Sequence, residues 1–453
     1  MGKKIQKQSR TTTIAVLLLA GIGALAFLFS MGPMDLLAQV LPRRSPTPRI
    51  VYNDISERKL RFATCRTEDC ATVRITELGS ETTLAPSAFT SLGLTQGRDG
   101  LPLIGLIHEQ YNPSGFAQTV RTIHCGNQFC SSGNTTAHLT TKGLFSGISL
   151  AIGSDDLPVL SYASQYLSPV GIHVVHCGNA KCTSGNTDTL IAPLMLVPND
   201  TSIAIGSDGL PIITFSYQDS TGPGTGNERS NLAVVHCGNL NCSQNNNTKI
   251  LMSGTLNALA TSYTVEPAYH RMVGRIMIGS DGLPFLTYWK EYRINFIQYK
   301  MELKALHCGN IDCTAGNTTM SLSPLIPQPP SGGFHSLTVG TSGFPVISYH
   351  MEPLTSAGNA EQRVIKCGTY DCVNVTVATL DNDGFAGAIY KSNIVGINAQ
   401  GNPIVSYNDQ DDPGVAGLKV VICGNVDCSA GNTTAIIDAE TGFEGQSQDM
   451  KIF

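Results

Sequence analysis

The amino-acid sequence predicts an all-β fold, a seven-bladed β-propeller with four strands in each blade. Three observations lead to this prediction: a cysteine pair that recurs at one spacing, a strand pattern that recurs around it, and two chain ends that complement each other. All fourteen cysteines of the 453-residue chain fall into C-x4-C pairs. Successive first cysteines lie 52 to 71 residues apart, about the length of one blade with its loops. The pairs are Cys65/Cys70, Cys125/Cys130, Cys177/Cys182, Cys237/Cys242, Cys308/Cys313, Cys367/Cys372 and Cys423/Cys428.

Each repeat contains four short runs with the character of strands, and the copy at residues 202–249 shows them well. Its first run alternates and ends in a Ser-Asp-Gly-Leu-Pro turn at residues 207–211, and its third run ends at Cys237. A proline begins the second run of every copy, where a strand tolerates it because its nitrogen need not donate a ladder hydrogen bond. These prolines are Pro48, Pro102, Pro158, Pro211, Pro284, Pro345 and Pro403. Four strands joined by hairpins are typical of a propeller blade.

The two ends of the repeat region predict how the ring closes. The first copy begins directly at its second strand, at residues 48–54, and has no opening strand. The last residues, 448–453, have the pattern of an opening strand and stop where the turn should begin. We therefore expect the C-terminal strand to complete the first blade, which removes two open sheet edges. An open solenoid would need polar caps at its ends, and the sequence shows none.

The N-terminal segment predicts export. A basic stretch precedes an apolar run from Ile14 to about Met34. This order is typical of a signal peptide or of an uncleaved signal anchor, and the sequence leaves both open for residues 1–38. Residues 39–47 then form a linker, and residues 48–453 the propeller. The protein is expected to be secreted, or anchored on the outer face of the cell membrane by this segment alone.

Export changes the interpretation of the cysteines. In an oxidising compartment, cysteines in fixed pairs predict seven disulfides within the pairs instead of zinc sites. Cross-strand neighbours lie about 4.5–5.5 Å apart, within the window that a disulfide needs. We therefore expect both cysteines of a pair to be cross-strand neighbours, so that each bond staples the outer hairpin of its blade.

Composition and motifs exclude several functions. The net charge is −5 and only 14% of residues are charged, so no basic surface for nucleic acid is expected. Serine-hydrolase, phosphate-loop and zinc-protease signatures are missing from the sequence, and no cofactor or metal is predicted. The sequence therefore favours a binding function outside the cell over an enzyme.

The best repeats have the form Gly-Ser-Asp-Gly-Leu-Pro-x-x-x-Tyr followed by His-Cys-Gly-Asn-x-x-Cys. They resemble the repeats of exported bacterial β-propeller proteins, most of them uncharacterised, over residues 48–453. The Ser-x-Asp-x-Gly element is also faintly similar to the Asp-box of sialidase-like propellers, although the aromatic residue that closes an Asp-box is absent. Neither resemblance implies a catalytic residue.

The candidate binding surface lies where the repeat varies. Loops from the second to the third strand, and from each blade to the next, share one side of a propeller, here called the variable-loop face. The fifth blade departs most from the repeat, with Trp289, Tyr292 and Arg293 in one connection and Tyr269 and Arg271 in the loop before it. Such residues dominate binding hot spots, and they predict a site for an extracellular glycan or protein. Packing of the longer loops is the alternative role for these aromatics.

Two other functions remain open from the sequence. A sialidase-like glycan-processing enzyme predicts carboxylates that converge on the central channel with perturbed pKa values. A purely structural envelope protein predicts neither such carboxylates nor an aromatic rim.

Overall fold

The computed structural model of the protein describes residues 46–54, 57, 59–80, 89–112, 115–140, 143, 145–165, 169–193, 198–220, 228–255, 274–293, 299–327, 334–351, 360–384, 392–409, 417–439 and 448–453. Pro46–Phe453 forms one unit, and Met1–Ser45, with the expected signal segment and most of the linker, lies outside the described residues. In the described part of the chain, no helix has the length and hydropathy needed to cross a membrane.

The described residues form twenty-nine strands in seven blades. The first blade contains β1 (Pro48–Asp54), β2 (Lys59–Cys65) and β3 (Val73–Ser80). The second contains β4 (Phe89–Gln96), β5 (Pro102–Asn112), β6 (Gly115–His124) and β7 (Thr135–His138). The third contains β8 (Phe145–Ile152), β9 (Pro158–Ser164), β10 (Gly171–His176) and β11 (Thr187–Pro193). The fourth contains β12 (Pro198–Ile205), β13 (Pro211–Ser220), β14 (Glu228–His236) and β15 (Asn247–Thr255).

The remaining blades follow the same order. The fifth contains β16 (Arg275–Ile278), β17 (Pro284–Arg293), β18 (Tyr299–His307), β19 (Thr318–Ser321) and the short β20 (Ile326–Pro327), which also pairs with β18. The sixth contains β21 (His335–Val339), β22 (Pro345–Met351), β23 (Ala360–Cys367) and β24 (Val375–Gly384). The seventh contains β25 (Asn393–Ile397), β26 (Pro403–Asp409), β27 (Gly417–Ile422) and β28 (Thr433–Asp438), and β29 (Gln448–Ile452) ends the chain's strands.

The ring closes through the C-terminal strand, as the sequence predicts. β29 pairs antiparallel with β1, from Pro48 opposite Ile452 to Tyr52 opposite Gln448, and the first sheet has the order β29-β1-β2-β3. The first strands of successive blades touch in the cyclic order β4, β8, β12, β16, β21, β25, β29 and again β4. These seven inner strands surround one axis. The fold is therefore a seven-bladed β-propeller with a composite first blade, and the prediction is confirmed.

The hydrophobic core lies between neighbouring blades. At the closing junction, Ile50, Tyr52 and Met450 of the first blade pack with Leu418 and Val420 of the seventh, and all five are buried. Burial of apolar surface against the next sheet is what holds each blade in the ring.

A buried polar cluster joins the same two blades. The Tyr52 hydroxyl donates to Asp438 Oδ2 at 2.6 Å, and Arg61 Nη1 also lies 2.6 Å from that oxygen. Burial, together with the Asp438 carboxylate, raises the pKa of Tyr52, so the phenol stays a donor. The closing junction is therefore held by polar contacts as well as by the core.

Every C-x4-C pair is a disulfide, as predicted, with Cα atoms 4.7 to 4.8 Å apart. Seven disulfides indicate an oxidising environment for the folded protein.

The expected position of the second cysteine in each hairpin is wrong. The first cysteine ends the third strand of its blade or directly follows it, but the second lies in the turn, before the fourth strand begins. Across the first sheet, for example, Cys65 faces Val73 and not its disulfide partner. The N–H of each second cysteine instead donates to the carbonyl three residues earlier, at 2.9 to 3.1 Å, so the bond closes a tight turn and does not link cross-strand neighbours. The second cysteines to which this correction applies are Cys70, Cys130, Cys182, Cys242, Cys313, Cys372 and Cys428.

The conformation of these turns explains the difference. Each second cysteine has a positive φ of 50 to 54°. This left-handed conformation costs a non-glycine residue roughly 1–2 kcal/mol and cannot continue a strand, so the turn is held against a local preference. Asn186 supports such a turn, because its Nδ2 donates to the Cys182 carbonyl at 2.7 Å and its Oδ1 accepts from Gly178 at 3.1 Å.

A histidine before the first cysteine joins the two short turns of a blade. His176 Nε2 lies 2.8 Å from Oδ2 of Asp155, which belongs to the turn between the first two strands of the same blade. The second, fourth and fifth blades repeat this contact with His124, His236 and His307. The side that carries these turns, here called the short-turn face, is thus occupied by contacts that repeat from blade to blade.

Candidate ligand site in the axial cavity

The seven inner strands enclose a cavity of about 710 Å³ on the axis of the ring. Its volume lies within the range of about 300–1,000 Å³ that is usual for small-molecule sites. Each inner strand begins after an inter-blade connection, and all of them except the last strand, β29, lead into a short turn. The first residues of these strands therefore lie toward the variable-loop face, and their last residues toward the short-turn face.

Serines on the cavity wall hold neighbouring blades together. In the fourth blade, Ser202 Oγ accepts a hydrogen bond from the backbone N–H of Ile276 in the fifth, at 3.3 Å. The same contact joins Ser149 to Ile203 at 3.1 Å and Ser336 to Val395 at 3.2 Å. Because an inner strand has no sheet partner on its axial side, these hydroxyls satisfy backbone donors that would otherwise be unpaired.

The residue directly before the serine position forms a hydrogen bond with the preceding blade instead of the next one. Asn393 Nδ2 donates to the Phe334 carbonyl at 3.0 Å, and Gln448 Nε2 donates to the Ser392 carbonyl at 3.1 Å. His335 Nε2 makes the equivalent contact with the Thr287 carbonyl at 3.1 Å. Most polar groups on the wall are thus explained by ring assembly, and their polarity alone does not indicate a ligand.

Arg275 departs from this scheme. It faces Thr287 across the sheet just as Ser202 faces Thr214, so it occupies the position of the forward-bonding serine. A guanidinium cannot accept a hydrogen bond, so the forward contact is lost in the fifth blade. Arg275 lines the cavity with its side chain 33% exposed, and its Nη1 lies 3.6 Å from Asp200 Oδ2. It is the one arginine among the described residues that line the cavity.

Asp200 is held firmly in place opposite Arg275. It lies at an irregularity of β12, and its Oδ1 accepts a hydrogen bond from the N–H of Thr201 at 2.8 Å. The backbone of Gly147 comes so close that a Cβ there would lie 2.4 Å from Oδ1, and Gly147 also has a φ of +54°. Both facts require glycine at this position. The carboxylate is therefore fixed on one side, while its Oδ2 faces the guanidinium.

Two further groups on the cavity wall have shifted pKa values. Burial lowers the pKa of His335 to about 3, and the nearby Arg275 charge acts in the same direction. The imidazole is therefore neutral with its proton on Nε2, and its Nδ1 has no hydrogen-bond partner among the described residues. Burial raises the pKa of Asp449, against the opposing effects of Lys451, of the Leu94 and Met450 amides and of Arg275. Asp449 Oδ2 accepts from the Leu94 N–H at 2.7 Å, which is the forward contact of the first blade.

The structure describes three of the five residues of the predicted site. Trp289 is 1% exposed and packs in the core between the fifth and sixth blades, 6.2 Å from the Tyr349 ring. Its indole therefore has the packing role that the sequence left as the alternative. Tyr292 and Arg293 are the last two residues of β17, at its end toward the variable-loop face. Tyr269 and Arg271 lie outside the described residues.

Sequence reasoning missed Asp200 and Arg275. The signal for Arg275 was present, because a charged residue replaces a serine that three blades share at one repeat position. Asp200 offers no such signal, since its role depends on the irregularity of β12.

Comparisons with known proteins give structural similarity only. No protein-family model matches the chain, and no curated protein sequence matches it. An α-L-arabinofuranosidase from Fusarium graminearum is 9% identical, with a TM-score of 0.46, over 76% of this chain and 96% of its own. AofleA from Arthrobotrys oligospora is 12% identical, with a TM-score of 0.42, over 80% and 89%. A protein of unknown function from Dyadobacter fermentans is 12% identical, with a TM-score of 0.42, over 65% and 83%. Similarities at this level assign neither a family nor an activity to this chain.

Proposed function

We propose that this protein is an exported binding module whose ligand enters the axial cavity from the variable-loop face and contacts Arg275 and Asp200. The observation that carries the proposal is the loss of a structural serine at position 275 in favour of a partly exposed arginine that lines the cavity. In three other blades, the residue at this position is a serine that accepts a hydrogen bond from the next blade. Arg275 cannot make that contact, so it does not have the structural role of the serine. It fits a role in binding, because a guanidinium presents five donors to a ligand.

The position of the pair supports the proposal further. Both residues lie at the beginning of inner strands, where the inter-blade connections differ from blade to blade. Binding residues are found preferentially on such variable connections of a rigid scaffold. Export is supported by the seven disulfides and by the N-terminal sequence.

The test is a binding screen of the purified exported region against immobilised oligosaccharides and extracellular extracts, with the wild type and R275A side by side. Every genuine ligand of the cavity is expected to bind R275A at least tenfold more weakly. R98A is the matched control, because Arg98 also makes a single loose ion pair, 3.5 Å from Asp156, but on the short-turn face. If both R275A and R98A bind a ligand with the affinity of the wild type, the binding surface for that ligand lies elsewhere.

A second candidate, a glycan-processing enzyme, is favoured by one observation. Asp200 and Asp449 both line the cavity, and the pKa of Asp449 is raised, as is usual for a catalytic acid. Both oxygens of Asp449 already accept backbone hydrogen bonds, however, which favours the structural role. Chromogenic glycosides incubated with wild type, D449N and D200N test it. If the wild type releases the chromophore and either variant does not, catalysis is supported. If the wild type releases no chromophore, this candidate function is removed.

A further inference from the structure

The charges of Arg275 and Asp200 balance each other on the cavity wall. Arg275 Nη1 stands 3.6 Å from Asp200 Oδ2, and the nearby His335 is neutral. Asp449 also lines the cavity, but burial raises its pKa, and its charge is left out of this balance. Lys451 is exposed, so water and salt screen its charge. An acidic group that approached Arg275 would therefore also approach the Asp200 carboxylate and be repelled by it. The site is poorly matched to an anion.

The Arg275–Asp200 pair nevertheless retains its capacity for hydrogen bonds. A separation of 3.6 Å is too long for a hydrogen bond, so guanidinium donors and a carboxylate acceptor stand side by side without satisfying each other. Two neighbouring hydroxyl groups match this arrangement, because each can accept from the guanidinium and donate to the carboxylate. A ligand without charge would complete these hydrogen bonds and leave the charge balance unchanged.

Neighbouring residues extend the match. Gln165 Nε2 is held by Ser146 Oγ at 2.8 Å and the Pro198 carbonyl at 3.0 Å, and its Oε1 makes no hydrogen bond among the described residues. Phe334 also lines the cavity and is partly exposed, so it offers an apolar surface to C–H groups. Fixed donors and acceptors beside an apolar surface are the features expected of a small polar-ligand site.

We infer that the ligand of this cavity is an uncharged polyhydroxyl compound, a neutral saccharide unit, and that Asp200 excludes the acidic counterpart. The inference rests on the proposed binding function and specifies the class of ligand that the same site takes. Asp200 has two tasks: it accepts hydroxyl hydrogen bonds, and it cancels the charge of Arg275.

D200N tests the inference, because the amide keeps the shape of the side chain and removes its charge. Neutral hexose disaccharides and the matching uronic-acid disaccharides are titrated calorimetrically into wild type, D200N and D156N. The wild type is expected to bind the neutral member at least tenfold more tightly, with little dependence on salt. D200N is expected to weaken neutral binding and strengthen acidic binding, which moves the ratio of the two affinities by tenfold or more. D156N, the control on the short-turn face, leaves the ratio unchanged, and melting temperatures verify that each variant is folded.

The outcomes separate this inference from the proposal on which it rests. A wild type that prefers the acidic disaccharide, with R275A abolishing that binding, would keep the binding function and overturn the neutral ligand. A preference ratio that does not change in D200N would overturn the role of Asp200. Binding of neither class in this cavity, with ligands from the screen unaffected by R275A, would remove the proposed function itself.

Discussion

Replacing Met450 by alanine is expected to destabilise the closing junction of the ring. Met450 lies on the C-terminal strand, is 1% exposed and packs against residues of the first and seventh blades. The change removes three heavy atoms beyond Cβ, each worth about 0.8 kcal/mol of transfer free energy. The cavity that remains adds to this loss, because the sheets on either side are held by their own hydrogen bonds. We expect the free energy of unfolding to fall by about 3 kcal/mol, within the usual range of about 2–5 kcal/mol for such a change.

Equilibrium unfolding in guanidinium chloride, followed by circular dichroism, measures this loss. I436A is the control, because Ile436 lies on the outer strand of the seventh blade and is 40% exposed. Truncating an exposed side chain is expected to change the free energy by no more than about 0.5 kcal/mol. If M450A were no less stable than I436A, the C-terminal strand would contribute no stability to the ring. The closing junction would then be absent in solution.

Three further outcomes are expected. W289A should lower the free energy of unfolding by about 3–5 kcal/mol, because the indole is core; an unchanged denaturation midpoint would contradict its burial. D449S should place at this position the serine that three other blades share, and thermal melts should show the wild type losing stability relative to it as the pH rises from about 4 to 7. The sign follows because the folded state, where the pKa of Asp449 is raised, binds a proton more tightly than the unfolded chain does; parallel pH curves would refute it. Urea unfolding of C177A/C182G should show about 1 kcal/mol more stability than that of C177A/C182A, because glycine adopts the positive φ of residue 182 without strain. Equal stability would mean that the turn relaxes once the disulfide is gone.

The ring closure and the disulfide pairing could be predicted because both depend on features that repeat along the chain. The missing first strand at Pro48 and the surplus strand at 448–453 are visible in the sequence itself. The left-handed conformation of the second cysteines was not predictable from the spacing, because a C-x4-C pair can bracket a turn or close one. The burial of Trp289 was one of two roles that the sequence left open. It lies one residue beyond the buried Tyr288, on the strand face toward the next blade, and the irregular repeat of the fifth blade made it a candidate for the surface.

The Arg275–Asp200 pair shows a different limit of sequence reasoning. These residues stand in different blades and are separated by 75 positions, and their approach depends on the closed ring. Gly147 packs closely against Asp200 in a left-handed conformation, and the only sequence signal for this conformation is the glycine itself. Pairwise contacts between blades follow from geometry that only the assembled propeller supplies.

The local disulfides have a consequence for how the protein folds in an oxidising compartment. Each cysteine is bonded to the partner five residues away, so every such segment of the chain contains both halves of its bridge. The nearest thiol is also the correct one, because short loops close at the lowest entropic cost. Oxidation of one blade therefore needs no residue from another blade. Closure of the ring is a separate step, because it needs residues 448–452 to pair with the first blade.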